Sequence, residues 1–521
     1  MFFRVLAGIF LALVPGLALA APPNVVVFLV DDMGWQDTSV AFARERTPFN
    51  EHFRTPSMAR LAARGICFTE ARAHPVCTPT RVAILTGQHP ARHRATNWIL
   101  FPDKDTSDTW GPTASPKGWR MEGLNAEDVT LPKLLREAGY MTIHAGKGHW
   151  GAVGTSGEDP LKLGFDVNIG GHTAGSPGSY QGADDYGNKP GAKDAKVWGV
   201  PGLAAYHGTE THLTDALTEE VKKALGAAVK SGKPFYLNFA HYAVHKPIQP
   251  HARFMEHYAG KKYAGTDIDI PQVEAEYASM IEGMDASLGA VLDALEALGV
   301  AENTLVLFLS DNGGLSAQTR GTTPRGTGLN THCWPAKAGK GSAYEGGTRI
   351  PFIAAWAKPD ANAPAQAALP IAAGARSAQP IIVEDLFPTL LGVAGASERL
   401  PAGHLVDGRD LRPYLAQTAA DPERPLYFHY PHVWGPHGPG YEPHSAGVFG
   451  AWKVIYFYTG QRWELYHLAD DLGEEHDLAK AEPERLNALA AKLVEGLRGL
   501  GAQWPTDRAT GAELPPVLPG R

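Results

Sequence analysis

One short segment places a cysteine, a proline and an arginine at the start of an apolar run. Cys77 precedes Pro79 by two positions and Arg81 by four, and the apolar residues begin at Val82. Because proline fits the first turn of a helix, we expect a helix that begins at Cys77, where free amides and the helix dipole favour an anionic group. A sulfur at that position, with an arginine one turn away, is typical of a nucleophile site. A buried structural cysteine beside a capped helix is the alternative.

Two apolar, β-branched runs each end in residues with side-chain oxygens. The first run is followed by Asp31 and Asp32, and the second by Asp311 and Asn312. Carboxylate and amide oxygens suit a hard divalent cation such as Ca²⁺ or Mg²⁺, whereas Zn²⁺ favours histidine or cysteine. These residues are also common in turns and caps, but their joint occurrence after two buried strands is less easily explained by two separate turns.

Two other predicted strands are followed by residues that could bind an anion or transfer a proton. Lys147 and His149 come after the predicted strand 140–144, and His245 comes after the predicted strand 234–240. A lysine and a histidine at one strand end could hold an anionic group and move a proton. Each residue alone is more often a solvated side chain, so these candidates depend on where the strands place them.

The surrounding segments alternate between apolar strands and helices of moderate length. This alternation predicts an α/β fold with a large, mainly parallel central sheet flanked by helices. Long Gly- and Pro-rich connections at 102–125, 170–202 and 313–339 are expected to surround a substrate cleft. The other predicted strands are 24–30, 304–309 and 349–356, and the predicted helices are 55–65, 130–139, 214–230, 273–298 and 383–393.

After residue 413 the pattern changes to short aromatic strands and one charged amphipathic helix. This change predicts a smaller C-terminal antiparallel sheet with a helix. We therefore divide the chain into a signal segment (1–20), a catalytic α/β domain (21–413) and a C-terminal α+β subdomain (414–521). The predicted C-terminal elements are the strands 425–430, 452–458 and 462–468 and the helix 483–500.

Composition bears on location and partners. The 521-residue chain has 47 Lys and Arg against 55 Asp and Glu, a formal net charge of −8, and the absence of a basic run gives no support to a nucleic-acid partner. Residues 1–20 combine Arg4, an apolar core and a small-residue cleavage site, which predicts a secreted or periplasmic protein without a stable membrane anchor. Besides Cys77, the chain contains Cys67 and Cys333, which form either one pair or two buried thiols.

The motif Cys77-Thr78-Pro79-Thr80-Arg81, with Thr86-Gly87 closing the segment, resembles the signature of type I sulfatases. These are the arylsulfatase-like, formylglycine-dependent enzymes of the alkaline phosphatase superfamily. One departure is Gly148, at a position where the family usually has an aromatic residue. The other segments that resemble the family, in its order along the chain, are Asp31-Asp32, Gly146-Lys147-Gly148-His149, His245-Lys246-Pro247, Asp311-Asn312 and Lys340-Gly341-Ser342-Ala343-Tyr344-Glu345-Gly346-Gly347-Thr348-Arg349.

The resemblance implies a sulfuric ester hydrolase with a modified nucleophile. A formylglycine-generating maturation enzyme would oxidise Cys77 to formylglycine, whose hydrated aldehyde attacks sulfur. One cation, Ca²⁺ or Mg²⁺, would bind the four oxygen ligands named above. The further roles implied by the resemblance are charge neutralisation by Arg81 and Lys147, sulfate binding by Lys340, protonation of the leaving alcohol by His245 with Lys340, proton removal by His149, and an additional sulfate contact by His172 or Ser176.

Two alternatives to this function remain: an enzyme that attacks phosphorus instead of sulfur, and a protein that binds a glycan without catalysis. The ester is expected to be a carbohydrate or aryl sulfate, a sulfated small molecule or glycan. Some relatives with this cysteine motif act on phosphorus, so a phosphodiester or phosphonate hydrolase on the same scaffold is one alternative. A catalytically inactive glycan-binding protein, with Cys77 left as a thiol, is another. Asn312 and the lack of histidine beside the acid pairs argue against two-zinc phosphatases.

Overall fold

The structure is a computed structural model that describes residues 22–107, 110–192, 194–315, 320, 332–435 and 438–520. The predicted signal segment lies outside these residues. The strands are β1 (Asn24–Val30), β2 (Gly65–Phe68), β3 (Ala71–Arg72), β4 (Thr113–Ala114), β5 (Met141–Gly146), β6 (Val167–Ile169), β7 (Phe235–Ala240), β8 (Thr304–Ser310), β9 (Phe352–Trp356), β10 (Ala375–Ser377), β11 (Ile381–Ile382), β12 (Leu426–Tyr430), β13 (His444–Phe449), β14 (Trp452–Phe457), β15 (Arg462–His467) and β16 (Thr506–Asp507).

The helices connect these strands and cover them. The α-helices are α1 (Pro48–His52), α2 (Pro56–Arg64), α3 (Cys77–Thr86), α4 (Pro90–His93), α5 (Leu131–Glu137), α6 (Ala195–Trp198), α7 (Leu213–Ser231), α8 (Gln272–Ala297), α9 (Glu345–Thr348), α10 (Pro364–Ala368), α11 (Leu386–Val393), α12 (Arg412–Leu415) and α13 (Pro483–Gly499). Short 3₁₀ helices occupy Ser156–Glu158, Pro160–Leu163, Gly182–Gly187, Ala204–Tyr206, Ala252–His257, Ala301–Asn303, Val383–Asp385 and Ser397–Arg399.

Eight strands form one central sheet in the order β10-β2-β9-β8-β1-β7-β5-β6. They all run in the same direction except β9, which is antiparallel to its neighbours β2 and β8. Alternate residues of β1 belong to two different clusters: Val25 and Leu29 pack with residues of α3, α5 and α11, and Val26 and Val30 with residues of α2, α7 and α8. Helices therefore cover both faces of the sheet, as buried parallel strands require.

This architecture confirms the predicted α/β fold class. The helix α3 begins at Cys77, contains Pro79 in its first turn and ends at Gly87, which has a left-handed φ of 68°. The sequence does not predict β13, because His-Ser-Ala-Gly-Val-Phe lacks the aromatic and β-branched run of β12 and β14. The sequence does not predict the reversed direction of β9 either, because a run of apolar residues looks the same for a parallel and an antiparallel strand.

The second sheet is antiparallel, in the order β12-β13-β14-β15, and α13 packs against it. Val454 and Leu465 of the sheet form one cluster with Leu489 and Leu493 of the helix. The predicted C-terminal sheet with one helix is confirmed, while the domain limits at residues 21 and 413 stay predictions.

Two further expectations concern cysteines and membranes. Cys67, Cys77 and Cys333 are all free and buried, so of the two alternatives for Cys67 and Cys333, the structure has two buried thiols. Within the described residues, every helix is too short or too polar to cross a bilayer.

A buried ion cluster joins β14 of the second sheet to β3 and α9. Glu345 Oε2 accepts hydrogen bonds from Arg72 Nη2 at 2.9 Å and from Arg349 Nε at 2.7 Å. Glu345 Oε1 accepts a hydrogen bond of 3.0 Å from Nζ of Lys453 on β14, which also lies 2.9 Å from Glu474 Oε1. The side chains of Arg72, Glu345, Lys453 and Glu474 are fully buried. Removal of one partner would leave uncompensated charge in the interior.

Replacement of Lys453 by methionine is expected to destabilise the protein by about 3–5 kcal/mol, because Glu474 would remain buried without its cation and Glu345 would lose one of its three cationic partners. Urea unfolding of the wild type and of Lys453→Met measures this loss. Lys480→Met, at an exposed lysine, serves as the matched control and should change stability by less than about 0.5 kcal/mol. The double variant Lys453→Met with Glu474→Gln should recover part of the loss; equal stability of Lys453→Met and the control would contradict this account.

Candidate active site

Four neighbouring strands end at one edge of the central sheet and carry the candidate residues. Asp31 follows β1, Asp311 follows β8, Lys147 follows β5, and His245 lies in the loop after β7. These strands are adjacent and parallel in the order β8-β1-β7-β5. Because parallel strands present their carboxyl ends at the same edge, segments that are far apart in sequence meet there.

Three buried carboxylates form the centre of the site. Asp31, Asp32 and Asp311 each have an oxygen within 4.8 Å of the others, and Asn312 Nδ2 donates a hydrogen bond of 2.8 Å to Asp32 Oδ1. Asp31 Oδ1 and Asn312 Oδ1 are buried and have no hydrogen-bond partner among the described residues. Such atoms cost free energy unless something binds them, and an all-oxygen set suits Ca²⁺ or Mg²⁺. The four predicted ligands therefore lie together and fit a divalent cation.

Each carboxylate of this cluster also contacts a cationic side chain. Burial and the neighbouring Asp311 raise the pKa of Asp31 well above its ordinary value. Burial opposes the ionisation of Asp32 as well, but Lys340, Lys147 and the hydrogen bond from Asn312 act against it, and the pKa of Asp32 is lowered. The positive side chains thus compensate the negative charge of Asp32 more fully than that of Asp31. An added cation would therefore stabilise the ionised form of Asp31. The pairs are Arg81 Nε–Asp311 Oδ2 at 2.8 Å, Lys147 Nζ–Asp31 Oδ2 at 2.6 Å and Lys340 Nζ–Asp32 Oδ1 at 2.7 Å.

Cys77 is the first residue of α3, and its sulfur contacts a histidine. The Sγ atom lies 3.3 Å from Nδ1 of His149, whose Nε2 lies 2.8 Å from the carbonyl oxygen of Ile99. Since a carbonyl only accepts, the ring proton is on Nε2 and the lone pair of Nδ1 faces Cys77. Burial and Lys147 lower the pKa of His149 far below its ordinary value, so the ring is a neutral base. Burial raises the pKa of the Cys77 thiol, so the unmodified sulfur is not a ready thiolate.

The loop after β7 brings His245 to the carboxylates. Its Nδ1–H donates a hydrogen bond of 2.8 Å to the carbonyl of Lys246, and its Nε2 lies 3.5 Å from Asp32 Oδ2. The buried hydroxyl of Tyr180 donates to the carbonyls of Tyr242 at 2.5 Å and His245 at 2.9 Å. These contacts fix the ring with Nε2 toward the site.

A cavity of about 440 Å³ borders these residues. Its lining includes Cys77, His149, His245 and Lys340, together with Ser176. A concave space next to the predicted nucleophile is where a substrate would bind. The remaining wall is mainly aromatic and includes Trp98, Trp110, Trp198, Trp434 and Tyr441.

Comparison with known proteins identifies the family. A family model described as Sulfatase matches residues 23–396. The chain belongs to the sulfatase family. The N-acetylgalactosamine-6-sulfatase of Mus musculus is 32% identical over 418 residues, covering 78% of this chain and 69% of that protein. Arylsulfatase A of Homo sapiens is 30% identical over 533 residues, covering 92% of this chain and 89% of that protein. This chain is accordingly a sulfatase enzyme.

Solved structures agree with the fold of this sulfatase. The crystal structure of Ps i-CgsB in complex with k-i-k-neocarrahexaose is 27% identical, with a TM-score of 0.66 over 92% of this chain and 93% of that chain. The phosphonate monoester hydrolase of Agrobacterium radiobacter is 18% identical, with a TM-score of 0.58 over 94% and 97% of the two chains. At that identity the second structure shares the fold alone.

In this sulfatase the loop after β5 explains the glycine at position 148. A Cβ on Gly148 would stand 2.9 Å from the carbonyl oxygen of His172, and this oxygen accepts a hydrogen bond of 3.0 Å from the His149 N–H. The glycine therefore allows close approach of the loop that holds His149. An aromatic residue comes two positions later, where Trp150 Nε1 donates to the carbonyl of Arg81 at 3.1 Å.

The two weaker candidates on the 170–176 loop have different positions. Ser176 lines the cavity, whereas His172 is not among its lining residues and contacts His149 through its backbone. The main chain at Gly175 packs on the same imidazole, since a Cβ there would lie 2.6 Å from Cε1 of His149. This loop supports the candidate base by backbone contacts.

The tryptophans of the cavity wall are candidate functional residues that sequence analysis missed. Trp110 and Trp198 lie in the long connections that are predicted to surround the cleft. Their positions in these loops could have identified them as candidate substrate contacts. Trp98 and Trp434 lie outside these connections, and only the folded chain brings them to the cavity.

A second group of potential metal ligands, His74, His89 and Glu384, lies outside the cavity lining. His74 Nε2 lies 3.2 Å from Glu384 Oε2. His89 Nδ1 accepts a hydrogen bond from the Ala91 N–H at 3.1 Å, and its Nε2 donates to the carbonyl of Tyr427 at 3.0 Å. Both ring nitrogens of His89 are thus occupied, and we assign no metal to this group.

Removal of divalent cations is expected to lower the thermal midpoint of unfolding, because Asp31 and the two neighbouring carboxylates would lose a compensating positive charge. Ca²⁺ or Mg²⁺ at a hundred times its dissociation constant should add about 2.7 kcal/mol to the stability of the chelator-treated protein. Differential scanning calorimetry with and without each ion measures the shift. The response should shrink in Asn312→Ala, and a midpoint that neither ion changes would contradict the assignment.

Proposed function

We propose that this sulfatase hydrolyses the sulfate monoester of a carbohydrate or aryl alcohol. The S–O bond of the ester is cleaved, and residue 77 carries the nucleophile. The proposal rests on one observation above all: the Nδ1 lone pair of His149 faces Cys77 Sγ at 3.3 Å. Beside it lies a buried cluster in which two oxygens accept no hydrogen bond from the described part of the chain. A neutral base that faces residue 77, next to a candidate cation site, suits attack by a nucleophile at this position on a bound sulfate ester.

The modified residue and the cation supply the attacking group. Formylglycine at position 77 would supply a hydrated aldehyde as the oxygen nucleophile, and a cation held by Asp31, Asp32, Asp311 and Asn312 would lower the pKa of its hydroxyl. The metal ion is Ca²⁺ or Mg²⁺, both of which accept an all-oxygen ligand set.

Fixed positive charges beside residue 77 bind the sulfate group. Arg81 is held by Asp311 at 2.8 Å and by the carbonyl of Lys147 at 2.8 Å, so its charge cannot move away from the site. Burial disfavours a charged Lys340, but Asp32 outweighs burial and raises the pKa of this lysine, which therefore stays cationic. Preorganised cations of this kind stabilise the negative charge that develops on sulfate oxygens.

Two histidines move protons in the proposed reaction. Nδ1 of His149 takes a proton from an oxygen on residue 77, because its lone pair already faces that position. Nε2 of His245 protonates the departing alcohol, together with Lys340. Burial and Lys340 lower the pKa of His245, so this ring gains its second proton when the negative charge of a bound sulfate ester counteracts them.

The aromatic wall supports a ring-shaped alcohol. The four indoles around the cavity present flat apolar faces, which stack on pyranose or aryl rings. The relative named N-acetylgalactosamine-6-sulfatase and the structure with a neocarrahexaose favour a sulfated glycan. We further propose that the protein is secreted or periplasmic and that a formylglycine-generating enzyme matures it.

Mass spectrometry of the tryptic peptide 73–81 tests the nucleophile. Protein produced together with a formylglycine-generating enzyme is expected to show the mass of an aldehyde at residue 77 in place of the thiol, whereas Cys77→Ala cannot change. An unmodified cysteine under these conditions would argue for the inactive glycan-binding alternative.

Matured protein then needs a substrate comparison. Hydrolysis of an aryl sulfate or of N-acetylgalactosamine 6-sulfate, without hydrolysis of an aryl phosphodiester or phosphonate, is the expected result. Preference for the phosphorus esters would instead favour the alternative hydrolase on the same scaffold.

Substitution of the proposed base should reduce turnover strongly. His149→Ala is expected to lower kcat by about a hundredfold to ten-thousandfold, the usual contribution of a positioned acid or base. Added imidazole should restore part of the activity by filling the vacated space. The thermal midpoint of the variant controls for folding, and a folded His149→Ala enzyme with wild-type kcat would exclude this role.

A further inference from the structure

The cavity contains a cationic side chain that the proposed reaction does not use. Lys246 lines the cavity and is exposed, and its ammonium forms no hydrogen bond or ion pair with any residue that the structure describes. Lys340, on the same lining, is instead buried and lies 2.7 Å from Asp32 Oδ1. The described lining residues include no aspartate or glutamate. An unpaired ammonium in such a cavity attracts an anion.

The main chain on both sides of Lys246 is fixed. Nδ1–H of His245 donates a hydrogen bond of 2.8 Å to the carbonyl of Lys246. Three residues later, Oε1 of Gln249 accepts hydrogen bonds from the Tyr180 N–H at 2.6 Å and the Ser179 hydroxyl at 3.1 Å. The backbone of Lys246 is therefore anchored, and only its side chain has to be ordered when the ammonium meets a ligand.

The neighbour of Lys246 indicates which part of the substrate it meets. His245 is the residue that protonates the departing alcohol in the proposed reaction, and Lys246 follows it directly. In the proposed reaction, the sulfate that is cleaved is bound by other cations beside Cys77, namely Arg81, Lys147 and Lys340. An anion at Lys246 consequently belongs to the alcohol side of the ester.

We propose that Lys246 binds a second oxyanion, a sulfate or a carboxylate, that the substrate carries on the alcohol side of the scissile ester. The inference rests on the proposed sulfate ester hydrolysis and specifies its substrate class: a sulfated sugar ring with another acidic group on the same ring or on the adjacent one. The chain has a formal net charge of −8 and repels polyanions in general. A local cation at the cavity counteracts that repulsion.

Binding measurements in a background that cannot turn over test the inference. Full-length Cys77→Ala protein with Ca²⁺ is titrated calorimetrically with three probes. They are N-acetylgalactosamine 6-sulfate, N-acetylgalactosamine 4,6-disulfate, and a disaccharide of glucuronate and N-acetylgalactosamine 6-sulfate. The first carries one oxyanion, the second adds a sulfate and the third adds a carboxylate. The readout is the ratio of dissociation constants between singly and doubly anionic probes.

Lys246→Gln is expected to reduce the preference for a doubly anionic probe about fivefold, the effect of an ion pair reachable by solvent. Lys246→Arg should retain the preference, and added salt should weaken it. Lys233→Gln, at an exposed lysine before the opposite end of β7, is the matched control and should retain it. The probe that shows the preference identifies the second oxyanion as sulfate or carboxylate.

Three results would overturn the inference: no preference in the Cys77→Ala protein, an unchanged ratio in Lys246→Gln, or an equal loss of affinity for all probes. The proposed function is read separately, from hydrolysis of 4-nitrophenyl sulfate by matured protein. A loss of the Lys246 preference thus remains distinguishable from an absence of sulfatase activity.

Discussion

Three carboxylates within 4.8 Å of one another concentrate more negative charge than a protein interior tolerates without compensation. The site is built around this constraint. The compensating cations come from α3, from the end of β5 and from the loop before α9, so segments far apart in sequence have to meet for the fold to form. The same cations border the position of Cys77. Charge compensation in the resting protein and anion binding in the proposed reaction therefore use the same side chains, Arg81, Lys147 and Lys340.

A second buried charge cluster keeps these segments in place. Arg72 lies five residues before Cys77 and Glu345 lies five residues after Lys340, and the two form a fully buried ion pair of 2.9 Å. Lys453 adds the C-terminal sheet to this pair at 3.0 Å from Glu345. The Cys77 segment and the Lys340 segment thus share one anchor, and Lys453 connects the C-terminal sheet to the same anchor although this sheet lies outside the central one.

The fold and the centre of the site could be predicted because they depend on local patterns. Apolar runs that end in aspartate mark strand ends, and Cys77, Pro79 and Gly87 mark the limits of α3. The remaining features depend on the approach of distant segments. The tautomer of His149 is set by a carbonyl fifty residues earlier, and the need for Gly148 arises from the carbonyl of His172. The direction of β9, the strand β13 and the aromatic wall are likewise determined by packing rather than by periodicity.

The aromatic wall of the cavity is in direct contact with the segment that carries Lys340. Trp434 packs on Gly341, where a Cβ would lie 2.1 Å from its Cγ and where φ is +79°, and Lys340 Nζ lies 5.4 Å from the centre of the indole. A side chain at position 341 would displace Trp434, and a change at 434 would alter the surroundings of Lys340. The proposed sulfate binding by Lys340 and any contact of a substrate with this indole are therefore physically coupled. Mutations that alter specificity at Trp434 should change turnover as well, whereas changes at Trp110 or Trp198, which belong to other loops, can act on binding without that coupling.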